Sequence, residues 1–140
     1  MKKVLCPIII GFLFACAHPQ IGKQLPPGNY ERISGLNHHT VMLKHLTIEF
    51  DHSINQVKNT ITFDGVVRFR KDQLDSAGWE LNELWIEVYF LDRNRKVINV
   101  KSFCLMPMRN ILEPIPFKKT FPYDSRYSFV TFAYEGKIWM

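Results

Sequence analysis

The stretch LWIEVYFLDRNRKVINVKSF, residues 84–103, decides the fold. Apolar side chains recur at every second position of its first half, which is the period of a β-strand and not that of a helix. Most of them are β-branched or aromatic, the types that favour strands. The polar run DRNR at residues 92–95 predicts a turn, because Asp and Asn side chains bond to nearby backbone groups. We therefore predict a β-hairpin whose return strand carries Ile98 and Val100.

The first strand of this hairpin has two different sides. Its apolar side, which we expect to face a core, consists of Leu84, Ile86, Val88 and Phe90. The opposite side combines two large rings, Trp85 and Tyr89, with the carboxylate of Glu87. Exposed rings of this kind anchor protein partners, which makes Trp85 and Tyr89 the candidate partner-binding residues. The alternative is that the N-terminal segment or the proline-rich residues 106–116 cover them.

Other alternating stretches extend the β pattern along the chain. Further strands are predicted at residues 46–50, 60–70, 117–121 and 126–134. Six or seven short strands separated by polar turns, without a long helical pattern, predict an all-β antiparallel sandwich.

The segments between these strands are less regular. Residues 51–59 predict a turn in which Ile54 and Val57 pack inward, and residues 71–82 predict a loop. Residues 31–44 fit either an edge strand or irregular cover. Gly65 stands in the inward row of its strand, where it either admits a bulky neighbour or marks a bulge.

Three stretches of the chain resemble a known family. ITFDGVVRFR, LWIEVYFLDRNRKVINV and FKKTFPYDSRYSFVTF are similar to the small immunoglobulin-like modules called FxLYD domains. Gly65, the FLD run at residues 90–92 and the return strand at residues 97–98 stand where that family has its glycine-containing strand, its aromatic-Leu/Tyr-Asp strand end and its return strand. Asn94 and Arg95 replace the usual Asn-Gly turn. The resemblance implies a non-enzymatic, immunoglobulin-like β-sandwich of a bacterial envelope protein.

The N-terminus has the pattern of an export signal. A basic start at Lys2 and Lys3 precedes an apolar run over residues 4–17, which is shorter than the roughly 20 residues that span a bilayer. We predict a signal peptide at residues 1–15, a lipidated N-terminus and tether at residues 16–30, and the β-sandwich at residues 31–140.

Two cleavage sites compete at the end of the signal. LFAC at residues 13–16 resembles the bacterial lipoprotein motif, in which Cys16 becomes the first residue and carries several acyl chains, palmitate among them; Phe14 departs from the small residue usual there. Ala17, where that family's inner-membrane members have Asp, favours the outer membrane, facing the periplasm. ACA at residues 15–17 is instead an A-x-A site that would release a soluble periplasmic protein. An uncleaved anchor is the third alternative.

Charge and cysteine content limit the classes of function. Loss of Lys2 and Lys3 lowers the net charge from +5 to +3, a small excess that argues against nucleic-acid binding. Cys104 is the one cysteine within residues 31–140, so the domain has no internal disulfide. Its place at the end of an apolar strand predicts a buried structural thiol.

The remaining polar residues give no catalytic pattern. The histidines lack the HxxxH and HxH spacings of metal sites and are expected in loops and on the surface, while Glu80 and Glu83 are expected in a solvated loop. We predict no catalytic residues, metal ligands or cofactor. The sequence thus favours a non-catalytic envelope lipoprotein, held to the membrane by Cys16, that binds or scaffolds an envelope protein. The alternative is a soluble periplasmic sandwich that binds a small ligand or a secreted chain.

Overall fold

The described part of the chain is built from strands. The computed structural model describes residues 18–26, 28, 30–34, 37–70, 83–105 and 113–137. The strands within these ranges are β1 Glu31–Arg32, β2 His38–Met42, β3 Leu46–Asn55, β4 Thr60–Phe69, β5 Glu83–Leu91, β6 Val97–Leu105, β7 Ile115–Pro122 and β8 Phe129–Lys137. Over the same ranges, no helix long and apolar enough to cross a membrane is found. The prediction of an all-β fold is confirmed for these residues.

The described residues form eight strands, whereas the sequence predicts six or seven. The difference arises in residues 31–44, where both β1 and β2 lie. In β2, His39 and Val41 are buried between exposed neighbours, so histidine occupies an inward position that the sequence pattern reserves for apolar residues. Buried and exposed residues therefore alternate in β2, but the sequence does not show this alternation because one of the buried residues is a histidine.

The eight strands pair in two antiparallel four-stranded sheets, in the orders β1-β8-β5-β6 and β2-β3-β4-β7. The chain changes sheet after β1, β4, β6 and β7, and the last two changes place β7 beside β4 and β8 beside β5. If the strands are counted from β3, the second strand (β4) pairs with the fifth (β7), and the third (β5) pairs with the sixth (β8). Immunoglobulin-like sandwiches have the same Greek-key pairing. An N-terminal strand, β1, pairs with the far edge of β8 over Glu31–Arg32.

The predicted hairpin forms the middle of one sheet. β5 lies between β6 and β8, and Leu84, Ile86, Val88 and Phe90 are each 0% exposed. Their assignment to the core is confirmed. At the turn, the Oδ1 atom of Asp92 accepts hydrogen bonds from the backbone N–H groups of Asn94 (2.8 Å) and Lys96 (3.0 Å). The positive φ angle of 63° falls on Arg95.

Phenylalanine rings join the two sheets. The ring centroid of Phe63 in β4 lies 5.9 Å from that of Phe90 in β5 and 5.0 Å from that of Phe50 in β3. Phe50 in turn contacts Phe132 in β8 at 5.3 Å. Such ring pairs add stabilisation of about 0.5–1.5 kcal/mol each beyond the area they bury. Phe63 thus links its own strand to β3 in the same sheet and to β5 in the other.

Gly65 leaves room for its neighbouring strand, as one of its two sequence interpretations proposes. Phe50 is its partner across the β3–β4 ladder, whose register continues without a bulge from Leu46 to Asn55. A Cβ atom at Gly65 would lie 2.7 Å from both Cα and Cβ of Phe50, and closer still to the carbonyl oxygen of Glu49. The missing side chain is therefore required by the close approach of β3.

The turn predicted at residues 51–59 is shorter than expected. β3 continues to Asn55, and the reversal occupies residues 56–59 with Asn59 at a φ of 54°. Ile54 packs against the core as predicted, but Val57 is 97% exposed, so its inward assignment is wrong. The predicted loop at residues 71–82 lies outside the described residues.

Candidate functional site

The outer face of β5 carries the residues that the sequence singles out. Trp85, Glu87 and Tyr89 are all half-buried, and we call this surface the outer β5 face. Its neighbours across the ladders are Cys104, Ser102 and Val100 of β6, and Glu135, Ala133 and Thr131 of β8. The surface is therefore mostly apolar or aromatic, with two carboxylates in it.

Trp85 is held by a buried carboxylate on its own strand. Its Nε1–H group donates to Oε1 of Glu83 at 2.5 Å, and Glu83 is only 6% exposed. The prediction that Glu83 is solvated is wrong, because Glu83 is the first residue of β5 and the Trp85 indole gives its carboxylate a hydrogen-bond donor there. Glu80 lies outside the described residues. The bond fixes the orientation of the Trp85 ring on the outer β5 face.

Tyr89 is in contact with the N-terminal segment. The ring of His18 packs edge-on against it, with 5.7 Å between ring centroids. Burial raises the pKa of the Tyr89 hydroxyl, and the neighbouring carboxylate of Glu87 raises it further. Tyr89 is therefore a neutral phenol at physiological pH, partly covered by the chain itself.

His18 also binds the carboxylate at the centre of this face. Its Nε2 atom lies 2.7 Å from Oε2 of Glu87, while its Nδ1 accepts a hydrogen bond from the backbone N–H of Gln20. Nδ1 is thus the acceptor and Nε2 carries the proton that Glu87 accepts. The sequence places His18 in a tether, but cover of the two rings by the N-terminal segment is one of its alternatives, and His18 bears this out for Tyr89. A lone carboxylate on an aromatic strand face was the one available signal that a donor would cover it.

Residues 18–25, which we call the N-terminal latch, continue along the sheet as an additional backbone partner of β6. The Gly22 N–H donates to the carbonyl of Val97 (2.8 Å), and the Val97 N–H donates to the carbonyl of Lys23 (2.9 Å). The Leu25 N–H donates to the carbonyl of Arg95 at 3.0 Å. This part of the predicted tether therefore lies on the domain.

A second, smaller apolar group is buried where the latch pairs with β6. Leu91 and Val97 are 0% and 1% exposed, yet neither belongs to the main core between the sheets. Leu91 follows Trp85 and Tyr89 in the alternation, so it points to the outer side of the sheet. The latch bonds the backbone of Val97 beside this group and is part of the folded unit.

An open groove adjoins the latch on the outer β5 face. Trp85, Glu87, Ser102 and Glu135 line it. Its lining joins an aromatic ring to two carboxylates and a hydroxyl. The two candidate partner-binding residues therefore have different surroundings. Trp85 lines the groove, whereas Tyr89 is in contact with His18.

The comparisons with known proteins add no relative. The chain matches no family model, no curated protein and no solved structure. The resemblance to FxLYD domains and the partner-binding role of Trp85 and Tyr89 stay predictions. Cys16, the predicted lipidation site, lies outside the described residues.

Two of the histidines expected on the surface are buried instead. His39 of β2 and His52 of β3 are 4% and 8% exposed, and their Nε2 and Nδ1 atoms lie 2.7 Å apart. His39 also stacks on Phe50 and lies 3.6 Å from the carboxylate of Glu31 in β1. The expectation fails because it rests on polarity alone, whereas a neutral imidazole pair satisfies its own hydrogen bond inside the sandwich.

The other polar groups also serve structural contacts. His38 bonds the Asp51 carboxylate at 2.8 Å, and the Nδ1 atom of His45 lies 2.5 Å from the Tyr134 hydroxyl. Cys104 is half-buried on the outer side of β6, opposite Trp85, so its assignment as a buried thiol is wrong. Among the described residues, no three His, Cys, Asp or Glu side chains are grouped so that they could hold a metal ion.

The buried pair predicts a loss of stability in mild acid. Burial lowers the pKa of both His39 and His52 below 6.5; repulsion between them lowers that of His52 further, and the carboxylates of Glu31 and Asp51 only partly oppose this. The unfolded chain takes up these protons near pH 6.5, so the stabilisation by the neutral pair is present above that pH. It is lost as the pH falls through the lowered pKa values. Denaturant unfolding at about pH 7.5 and about pH 5 should show it.

A matched pair of variants isolates the buried histidines. His39→Leu/His52→Leu removes both partners and should flatten the pH dependence between about pH 7.5 and about pH 5, whereas Val57→Ala, at an exposed position without a titratable group, should leave it as in the wild type. Equal losses of unfolding free energy in the wild type and the double variant would contradict the assignment.

Proposed function

We propose that this protein is a non-catalytic binding module of the bacterial envelope, anchored to a membrane by acyl chains on Cys16. The observation that carries the proposal is the N-terminal pattern of two lysines, an apolar run and Cys16, followed directly by a segment that packs on a β-sandwich. The outer β5 face, which carries Trp85 and borders an open groove, is the proposed binding surface.

The hydrogen bonds of the histidines support a non-catalytic role. Each of the five histidines of the sequence bonds another side chain, and each of these bonds links residues that are distant in the chain. General acid–base catalysis needs a titratable group directed at a substrate. Groups already used to join distant parts of the chain are better suited to hold a fold together.

Metabolic labelling with radioactive palmitate tests the anchor. In an expressing bacterium, we expect the label to enter the wild type and to be absent from Cys16→Ser, because the serine hydroxyl does not replace the cysteine sulfur as the lipid acceptor. Cys104→Ser is the matched control and should be labelled as the wild type is. Absence of label from the wild type, or equal labelling of Cys16→Ser, would refute the proposed anchor.

The A-x-A site at residues 15–17 supports a second candidate, a soluble periplasmic sandwich that binds a small ligand or a secreted chain. In that case the mature protein begins at His18 and carries no lipid. Fractionation of the cells separates the two candidates, since the lipidated protein sediments with membranes and the alternative stays in the periplasmic fraction.

A further inference from the structure

The N-terminal latch determines how the domain can sit on a membrane. Resting on the proposed lipidation of Cys16, we propose that the outer β5 face lies against the bilayer surface, with Trp85 in the headgroup region. The partner of this face is then the membrane that holds the acyl chains. The domain would not stand away from the lipid on a flexible tether.

The short distance between the anchor and the latch is the first argument. His18 is bonded to Glu87 in the middle of the outer β5 face, and Cys16 is two residues away in the chain. Two residues span at most about 7 Å even when fully extended. Packed sheets are about 10 Å apart, so this reach is shorter than the thickness of the sandwich. The acyl chains must therefore begin on the side of the domain where His18 lies.

The number of latch contacts is the second argument. Three backbone hydrogen bonds join residues 22–25 to residues 95–97, and the Gln24 amide donates to the carbonyl of Asn94 at 2.9 Å. His18 adds its bond to Glu87 and its ring contact with Tyr89. The segment is thus fastened at both ends, and the slack between lipid and domain is limited to the residues before His18.

The direction of the latch is the third argument. Traced backwards, the latch passes from Arg95 at the turn, to Val97, and then to Glu87. It therefore advances along β5 toward Trp85 and the groove that Trp85 lines. The anchor is reached by continuing along this face.

The chemistry of the face selects the type of lipid surface. Tryptophan and tyrosine are enriched at the membrane interface, where the apolar body of the ring is in contact with the boundary of the acyl chains. The indole N–H of Trp85 is bonded to Glu83, so the ring can enter this region with its donor satisfied. Glu87 and Glu135 line the same groove, and carboxylates give no attraction to anionic headgroups. A zwitterionic surface fits best, since its ammonium groups can pack on the Trp85 ring. Anionic lipid should not strengthen the contact.

Quenching of Trp85 fluorescence by brominated lipid tests the proposal. The lipidated full chain with Trp79→Phe and Trp139→Phe, which leaves Trp85 as the one tryptophan, is placed in vesicles of phosphatidylcholine with bromine on the acyl chains. We expect Trp85 emission to fall about twofold relative to unbrominated vesicles, as for an interfacial tryptophan. If these replacements lower the unfolding midpoint, the comparison of wild type with Trp85→Phe gives the same quantity.

A spacer variant is the matched control. A flexible Gly/Ser insert of about ten residues between Ala17 and His18 keeps the lipid and the latch but lets the domain leave the surface. Its quenching should be weaker than that of the parent. Equal quenching of the two proteins, or absence of quenching in the parent, would overturn the proposal.

Flotation of the vesicles separates this inference from the proposed function. A protein that does not float with vesicles lacks the anchor, and both proposals then fail. A protein that floats with Trp85 unquenched retains the anchor and refutes the orientation alone. That second result is also expected if another protein, and not lipid, covers the outer β5 face.

Discussion

Replacing Phe63 with alanine should lower the free energy of unfolding by about 4 kcal/mol, the usual cost of truncating a buried phenylalanine. Phe63 is 0% exposed, and its ring lies within 6.3 Å, centroid to centroid, of four others from both sheets: Phe50, Phe90, Phe121 and Phe132. Alanine would leave a cavity in the middle of this group, since the surrounding strands are fixed by their ladders. Urea unfolding followed by circular dichroism measures the loss.

Two controls define the origin of that effect. Phe63→Leu keeps most of the volume and should cost about 1 kcal/mol. Val57→Ala changes a side chain that is 97% exposed and should leave the free energy of unfolding within about 0.5 kcal/mol of the wild type. A Phe63→Ala loss no larger than that of Phe63→Leu would show that these rings do not hold the sheets together.

Replacing Gly65 with alanine should destabilise the fold by about 3 kcal/mol, at the upper end of the cost of overpacking. The added methyl group would lie 2.7 Å from the backbone of Phe50, and a β-ladder on either side of β4 prevents the strands from separating. The same denaturant titration measures the change. Part of the chain's resistance to unfolding therefore depends on a residue with no side chain.

Gly28 provides the matched glycine. It is exposed, and a Cβ atom there would meet its nearest atoms at 3.8 Å, an ordinary contact. Gly28→Ala should therefore change the free energy of unfolding by less than about 0.5 kcal/mol. If Gly65→Ala were as mild as Gly28→Ala, the close approach of β3 to β4 would be wrong.

The sequence predicts those parts of the fold in which alternation and chemistry agree. In β5, every inward residue is a large apolar one, so the period of two is visible and the hairpin with its buried side follows from it. In β2 and the second half of β3, the inward positions hold His39 and His52. The period of two is the same there, but a hydrophobicity scale does not detect it because histidine counts as polar.

The buried histidines depend on a contact across two strands. His39 and His52 are partners because Asp51 pairs with His38 and Phe50 with His39 in the β2–β3 register, which brings both imidazoles into hydrogen-bonding distance. A register of this kind is a tertiary fact, set by the whole sheet. The polarity of each histidine, considered alone, predicts that its side chain is exposed to solvent. The hydrogen bond between the two histidines allows both to be buried instead.

The backbone pairing of the latch is the part of the candidate site that the sequence does not reveal. Residues 18–25 contain proline and glycine and no alternating apolar pattern, which is typical of a linker. Their order comes from backbone hydrogen bonds to residues 95–97, for which side-chain type is largely irrelevant. The sequence identifies Trp85 and Tyr89 as unusual, whereas only the structure shows that His18 lies against Tyr89.

The mass of the mature protein tests the central claim most directly. Protein purified from the membranes of an expressing bacterium in detergent, and measured intact and after digestion, should begin at Cys16 and carry the additional mass of several acyl chains on its N-terminal peptide. An unmodified chain that begins at His18 would contradict the anchor and support the soluble alternative.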